Sequence, residues 1–279
     1  MLLIAAKNSI SRQESKKVNL KVITAKQTSS SDSFGHPVID WLVSFAPLIS
    51  YSILIAVFYL ETDGFNQQDI LFYCSLKSAP VFFLSFLAYL GQPHFKGQKR
   101  FQFAIGVILC GSGDFLLSTN EFGFTIGVIS FGIGHMFYVA YFGSLLHEVS
   151  LRIVFAFLMC AYLTVNLLVR PYFTNTIERH IVSIYAYLIA SSAIVACSLF
   201  FKGSANGKSG KDFWQLALGY LLFGFSDTVI LLDKLNFPLP YAKSVIMFTY
   251  YGAQYLIFHN ASNASASIQK VQDIKKKED

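Results

Sequence analysis

The chain has 279 residues, of which 54% are hydrophobic, 16% aromatic and only 14% charged, where soluble domains average about 25% charged. That balance excludes an ordinary water-soluble enzyme. The formal charge of +6 reads as membrane topology rather than nucleic-acid binding, because the basic residues lie in the tails and in alternate loops.

Taken in order, residues 1–39 form a polar Lys- and Ser-rich tail. It lacks an apolar stretch long enough for a signal peptide, and its composition predicts disorder. Eight apolar runs follow, at 41–60, 70–90, 101–118, 122–145, 151–169, 181–201, 213–232 and 241–258. Each approaches the roughly 20 residues, at about 1.5 Å rise per residue, that cross a bilayer core. Backbone polar groups in lipid must pair within the segment, so these runs are expected to be helices. No alternating ten-residue pattern of a membrane barrel is present. The expected fold is all-α, a polytopic membrane bundle of about eight transmembrane helices occupying 40–259, with a tail over 260–279.

The loops are short, and one set of alternate loops plus both tails holds seventeen of the 22 Lys and Arg residues. The other side has Arg170, Arg179, Lys234 and Lys243. The positive-inside rule therefore predicts cytosolic termini. The chain ends Lys276-Lys277-Glu278-Asp279, which resembles the dilysine signal that returns membrane proteins to the endoplasmic reticulum. Asn260-Ala261-Ser262 and Asn263-Ala264-Ser265 match glycosylation acceptors, expected to stay unmodified on a cytosolic tail. Cys74, Cys110, Cys160 and Cys197 all fall inside spans without Cys-x-x-Cys spacing, as packing residues do. Gly123, Gly127, Gly132 and Gly134 in the fourth span suit close helix contact.

Ionisable groups within spans cost about 2.5–3.5 kcal/mol each on insertion scales, so each needs a reason. They are Lys77, Asp114, His135 and Asp227, accompanied by Tyr251 and Gln254. From the span ends and the helical rise, Asp114 lies roughly 6 Å, Asp227 roughly 8 Å and Lys77 roughly 10 Å below the non-cytosolic face. His135 lies nearer the midplane. Two carboxylates near one cation suit an acid–base pair; an ion-pair network that only fastens helices is the bland alternative. Asp114, Asp227 and His135 could also ligate a divalent ion, although no spacing demands a metal. A weak internal duplication relates Asp114 and Tyr138 to Asp227 and Tyr251, each pair 24 residues apart.

The order Lys77-Ser78-Ala79-Pro80, Gly113-Asp114-Phe115-Leu116-Leu117, His135-Met136-Phe137-Tyr138, Ser226-Asp227 and Tyr250-Tyr251-Gly252-Ala253-Gln254 resembles the lysoplasmalogenase, or YhhN-like, family of eight-span membrane proteins. The resemblance covers roughly residues 40–259 and leaves the basic N-terminal tail as an addition. It implies a hydrolase that cleaves the vinyl ether bond of a lysophospholipid, with a lysoplasmalogen and membrane lipids as partners, no nucleic acid and no cofactor. A homodimer is compatible with it. It implies Asp114 and Asp227 as the catalytic pair, with Lys77, His135, Tyr138, Tyr251 and Gln254 binding substrate or tuning the acids.

The chemistry fits that pair: protonating the outer alkene carbon leaves an oxocarbenium ion that water captures, as in glycoside hydrolysis. A different class, a transporter or receptor with an intramembrane Lys/Asp site, draws modest support from Pro80 beside Lys77 and Gly113 beside Asp114. Gly111-Ser112-Gly113-Asp114 also matches the Gly-x-Gly-Asp pattern of intramembrane aspartyl proteases. Here, however, Ser226-Asp227 stands where those enzymes carry Tyr-Asp, the order is reversed, and their Pro-Ala-Leu motif is absent.

Overall fold

In a computed structural model, residues 37–278 are described, except 67, 68, 93, 96, 98 and 206; at 37–44, 121 and 267–278 only the backbone is described. The expected tail therefore lies outside the described residues up to position 36. The chain divides into two units. In the first, Met1–Phe45, the described residues begin a helix; the second, Ala46–Asp279, is the helical bundle.

The described residues form eight helical segments: α1 (Pro37–Glu61), α2 (Ile70–Leu90), α3 (Lys99–Leu117), α4 (Glu121–Gly143), α5 (Leu151–Tyr172), α6 (Thr176–Lys202), α7 (Trp214–Lys234) and α8 (Ala242–Glu278). Local chemistry sets their ends. Asp69, Asn120 and Asn175 accept backbone N–H bonds from Phe72, Gly123 and Ile177 at 2.7–2.9 Å, satisfying the orphan donors of α2, α4 and α6. Asn175 starts α6 five residues before the expected 181. Gly91 ends α2 with φ +83°, a left-handed conformation that glycine adopts without a Cβ penalty. Near its end α5 loosens into a π-helical turn, Val165–Val169, just before Pro171, whose missing N–H cannot continue the regular ladder.

Helices α2 through α7, six in all, are long and apolar enough to cross a membrane; the apolar part of α1 among the described residues, Phe45–Glu61, is shorter. Helix α8 falls below that standard for a physical reason. It is surrounded by α2, α3 and α7, so it need not be apolar all round. Its polar residues Gln254, Asn260 and Ser262 are buried. Nor does α8 stop at 258, because 259–266 contains no helix breaker and Ala261 and Ala264 remain in the core. The acceptor Asn260 is 3% exposed and donates Nδ2 to Asp212 O at 2.8 Å.

Within the second unit α2, α3, α4, α6, α7 and α8 pack in a closed circuit, and α5 leans on α6 from outside. Glycines allow the closest approach: a Cβ on Gly127 of α4 would meet Leu117 N at 2.9 Å and Gly113 O at 3.0 Å on α3. The outer faces are apolar, with Phe155, Leu158 and Leu167 of α5 and Leu221 and Phe225 of α7 exposed. Exposed apolar surface of that extent fits lipid contact.

Candidate active site

Two polar arrangements occupy the bundle. The first is closed. Asp114 on α3 is 3% exposed and accepts a hydrogen bond from Tyr250 OH of α8 at 2.5 Å. Gln254 Nε2 donates to Tyr250 OH at 3.1 Å, and Tyr138 OH of α4 donates to Gln254 Oε1 at 3.2 Å. Helix spacing explains this order, since Tyr250 and Gln254 are four residues apart on one face. Lys77 of α2 is 6% exposed, and its Nζ donates to Ser118 Oγ at 2.9 Å. Ser118 lies one turn beyond Asp114 and donates to its carbonyl oxygen at 3.4 Å. Tyr251 OH donates to Lys77 O at 2.7 Å.

The second arrangement opens on a cavity of about 290 Å³ whose wall comes mainly from α4, α5, α6 and α7. Asp227 of α7 and Tyr185 of α6 both line it, and Tyr185 OH donates to Asp227 Oδ2 at 2.9 Å. Most other wall groups are apolar. Cys160 of α5 and Leu221, Phe225 and Thr228 of α7 both line the cavity and are exposed on the bundle surface. The cavity therefore reaches the apolar exterior sideways, between α5 and α7. Along α6 the wall runs from Val182 to Ala193 and along α7 from Tyr220 to Leu231, about 16 Å of helix in each case.

The expected meeting of two aspartates and one lysine in a single pocket is thus replaced by two sites. Among the described residues no ion pair joins Lys77 to Asp114 or Asp227, and Lys77 and Asp114 do not line the cavity. Phe131 stands between: its ring lies 6.1 Å from that of Tyr250 on the Asp114 side and 6.4 Å from that of Tyr185 on the Asp227 side. Each carboxyl group accepts a tyrosine hydroxyl instead of a cation.

His135 is fully buried and meets Ser192 Oγ at 3.1 Å through Nδ1. Its Nε2 has no hydrogen-bond partner among the described residues, and its ring packs at 4.7 Å on Phe223. Among the described residues no three His, Cys, Asp or Glu side chains converge as a metal ion would need. The expected site thus includes Asp227 at the cavity and Asp114, Tyr138, Tyr251 and Gln254 in the closed network, with His135 and Lys77 beside it. Sequence reasoning missed Tyr185, Tyr250 as the donor to Asp114, and Ser118 as the lysine's partner. Only Tyr250 carried a signal, as a neighbour of Tyr251 within the quoted motif. Tyr185 is one of 15 tyrosines in an apolar chain, and no charge marks it.

Comparison with known proteins shows the family. The YhhN family model matches residues 72–261. Lysoplasmalogenase TMEM86A of Bos taurus is 32% identical over 179 residues, which is 61% of this chain and 67% of that protein. The Homo sapiens TMEM86A protein is 30% identical over 169 residues, 59% of this chain and 67% of its own length. Lysoplasmalogenase TMEM86B of Mus musculus is 29% identical over 157 residues, 56% of this chain and 62% of its own. No solved structure matches. With a family model that matches residues 72–261, more than half of its length, this chain belongs to the YhhN family.

Proposed function

We propose that the protein is an integral membrane lysoplasmalogenase, which hydrolyses the vinyl ether of an alkenyl-glycerophospholipid to a fatty aldehyde and a glycerophospho-headgroup. One observation carries the reading: a carboxyl group, Asp227, held by Tyr185 in the wall of an apolar cavity that opens sideways to lipid. The similar proteins named lysoplasmalogenase support it.

The two aspartates take different roles in this reading. Asp227 enters protonated and gives its proton to the outer carbon of the alkene, and the electron pair of that double bond forms the new C–H bond. The positive charge left behind is an oxocarbenium ion. The Asp227 carboxylate then takes a proton from the attacking water, which yields the hemiacetal and restores the acid. The hemiacetal collapses to aldehyde and alcohol. Asp114, behind Phe131, contributes a fixed negative field toward the cation, as the second carboxylate does in glycoside hydrolysis. Tyr185 keeps Asp227 aimed at the cavity. Lys77, bonded through Ser118 beside Asp114, holds the charge of the closed network. The charge bias supports a topology with both termini in the cytosol.

Purified protein tests this directly: aldehyde should be released from a lysoplasmalogen. Asp227→Asn should abolish release, whereas Asp114→Asn should slow it while leaving some turnover, because Asp114 does not touch substrate. Near-normal turnover in Asp227→Asn ends the proposal. A transporter would instead move a solute and release no aldehyde.

A further inference from the structure

Helix α7 carries Asp227, Leu231 and Lys234 at intervals of four and three residues, so the three share one face. Asp227 and Leu231 line the cavity, and Lys234 continues the same stripe at its outer end. Lys234 Nζ lies 3.9 Å from the ring centroid of Phe124, itself a cavity residue, and 3.3 Å from Glu178 Oε1. Its side chain is 28% exposed, so it is reachable from outside the bundle. Below Asp227 the wall continues for another seven residues, about 10 Å, to Tyr220, past the small residues Ala186, Ala190 and Ala193. The polarity is graded: an ammonium just beyond the Phe124 end of the cavity, a carboxyl group about 10 Å further along, then hydrocarbon.

That gradient is the polarity of a lysophospholipid laid lengthwise. We propose that Lys234 is the anchor for the substrate's headgroup phosphate and sets the depth at which the vinyl ether meets Asp227. The glycerol separates phosphate from ether by a few bonds, and the lysine stem supplies the rest of the reach. The alkenyl chain then extends toward Tyr220. An ammonium has three donors; Glu178 engages one and holds the group over Phe124, leaving donors for a phosphate oxygen. The orientation also assigns the leaflet. Substrate is drawn from the side on which α3 joins α4, α5 joins α6 and α7 joins α8.

The inference rests on the proposed reaction, and two arms separate the two. Purified full-length protein is assayed for aldehyde release from an alkenyl-glycerophosphocholine and from the phosphate-free alkenylglycerol of the same chain. A hydrogen bond to a charged group contributes about 1.5–3 kcal/mol. Lys234→Met should therefore raise KM for the phospholipid about ten-fold or more, keep its kcat within roughly two-fold, and lower the preference for the phospholipid by a similar factor. Lys234→Arg should restore the preference, and Glu178→Gln, which frees the ammonium, should keep it or increase it. An unchanged preference in Lys234→Met, or the same loss in Glu178→Gln, would show that the pair only fastens α6 to α7 and would overturn the inference.

If the wild-type protein released aldehyde from neither lipid, the reaction would be wrong. Equilibrium binding of a non-cleavable alkyl-ether lysophosphocholine then decides the headgroup question alone. Binding weakened ten-fold by Lys234→Met supports the anchor, and binding indifferent to it refutes the anchor.

Discussion

Tyr185→Phe isolates the contact that aims Asp227. The substitution deletes one hydroxyl, whose hydrogen bond to Asp227 Oδ2 is 2.9 Å. It keeps the ring, which packs 6.4 Å from Phe131 and 6.0 Å from His135, so the cavity wall is retained. A hydrogen bond between neutral groups contributes about 0.5–1.5 kcal/mol and one to a charged group about 1.5–3 kcal/mol. Asp227 gains negative charge as it gives up its proton, so the bond strengthens toward the transition state, where the larger figure applies. Only the difference between the two figures, about 1–1.5 kcal/mol, acts on kcat; at about 1.4 kcal/mol per tenfold, kcat should fall roughly 5- to 10-fold while KM changes little. Aldehyde release from a lysoplasmalogen by purified protein measures this, with a thermal melt to confirm folding. Tyr187→Phe is the control, being on the same helix but 38% exposed, and should behave as wild type. In the Asp227→Asn background, Tyr185→Phe should add almost nothing, because residues acting as one unit are not additive. Turnover of Tyr185→Phe within about two-fold of wild type would refute the positioning of Asp227 by this tyrosine.

Ala190→Phe should fill the slot below Asp227, where Ala190 is a wall residue 5% exposed; activity on long-chain lysoplasmalogens should drop more than activity on short-chain ones, and equal losses would place the chain elsewhere. Gly127→Ala forces a Cβ to 2.9 Å from Leu117 N and 3.0 Å from Gly113 O, both backbone atoms, so a thermal melt should show destabilisation of about 1–3 kcal/mol. Gly224→Ala meets only Ile189 Cγ2 at 3.9 Å and should melt as wild type. Asn260 donates to Asp212 O from a buried position, so glycosidase treatment of the expressed protein should produce no mobility shift from that acceptor. A glycosylation tag inserted beside Asn120 should be modified and one beside Lys208 should not; the reverse would invert the assigned sides.

How much of this was legible beforehand can be followed residue by residue. The helices were, because lipid forces every backbone group to pair within its own segment and so turns hydropathy into secondary structure. Where ends shifted, a local cap or its absence was the cause: Asn175 starts α6 early, and α8 continues past 258 through a stretch without a breaker. Asp114, Asp227, Lys77 and His135 stood out because charges are costly in a span. Their partners did not stand out. Tyr185 and Tyr250 are neutral, and aromatic residues abound in this chain, so their hydroxyls became informative only once helices far apart in sequence were packed together.

The amino-acid order alone determined that the chain forms membrane helices and which few residues must justify a charge inside them, since both follow from transfer free energies that act residue by residue. Tertiary packing alone decided that the two aspartates are separated by Phe131, that of the two only Asp227 lines the cavity, and that Lys234 rather than Lys77 lies against a cavity residue, Phe124. The reason is geometric. Helical spacing tells which residues share a face, but the direction that face points is chosen by the neighbouring helices.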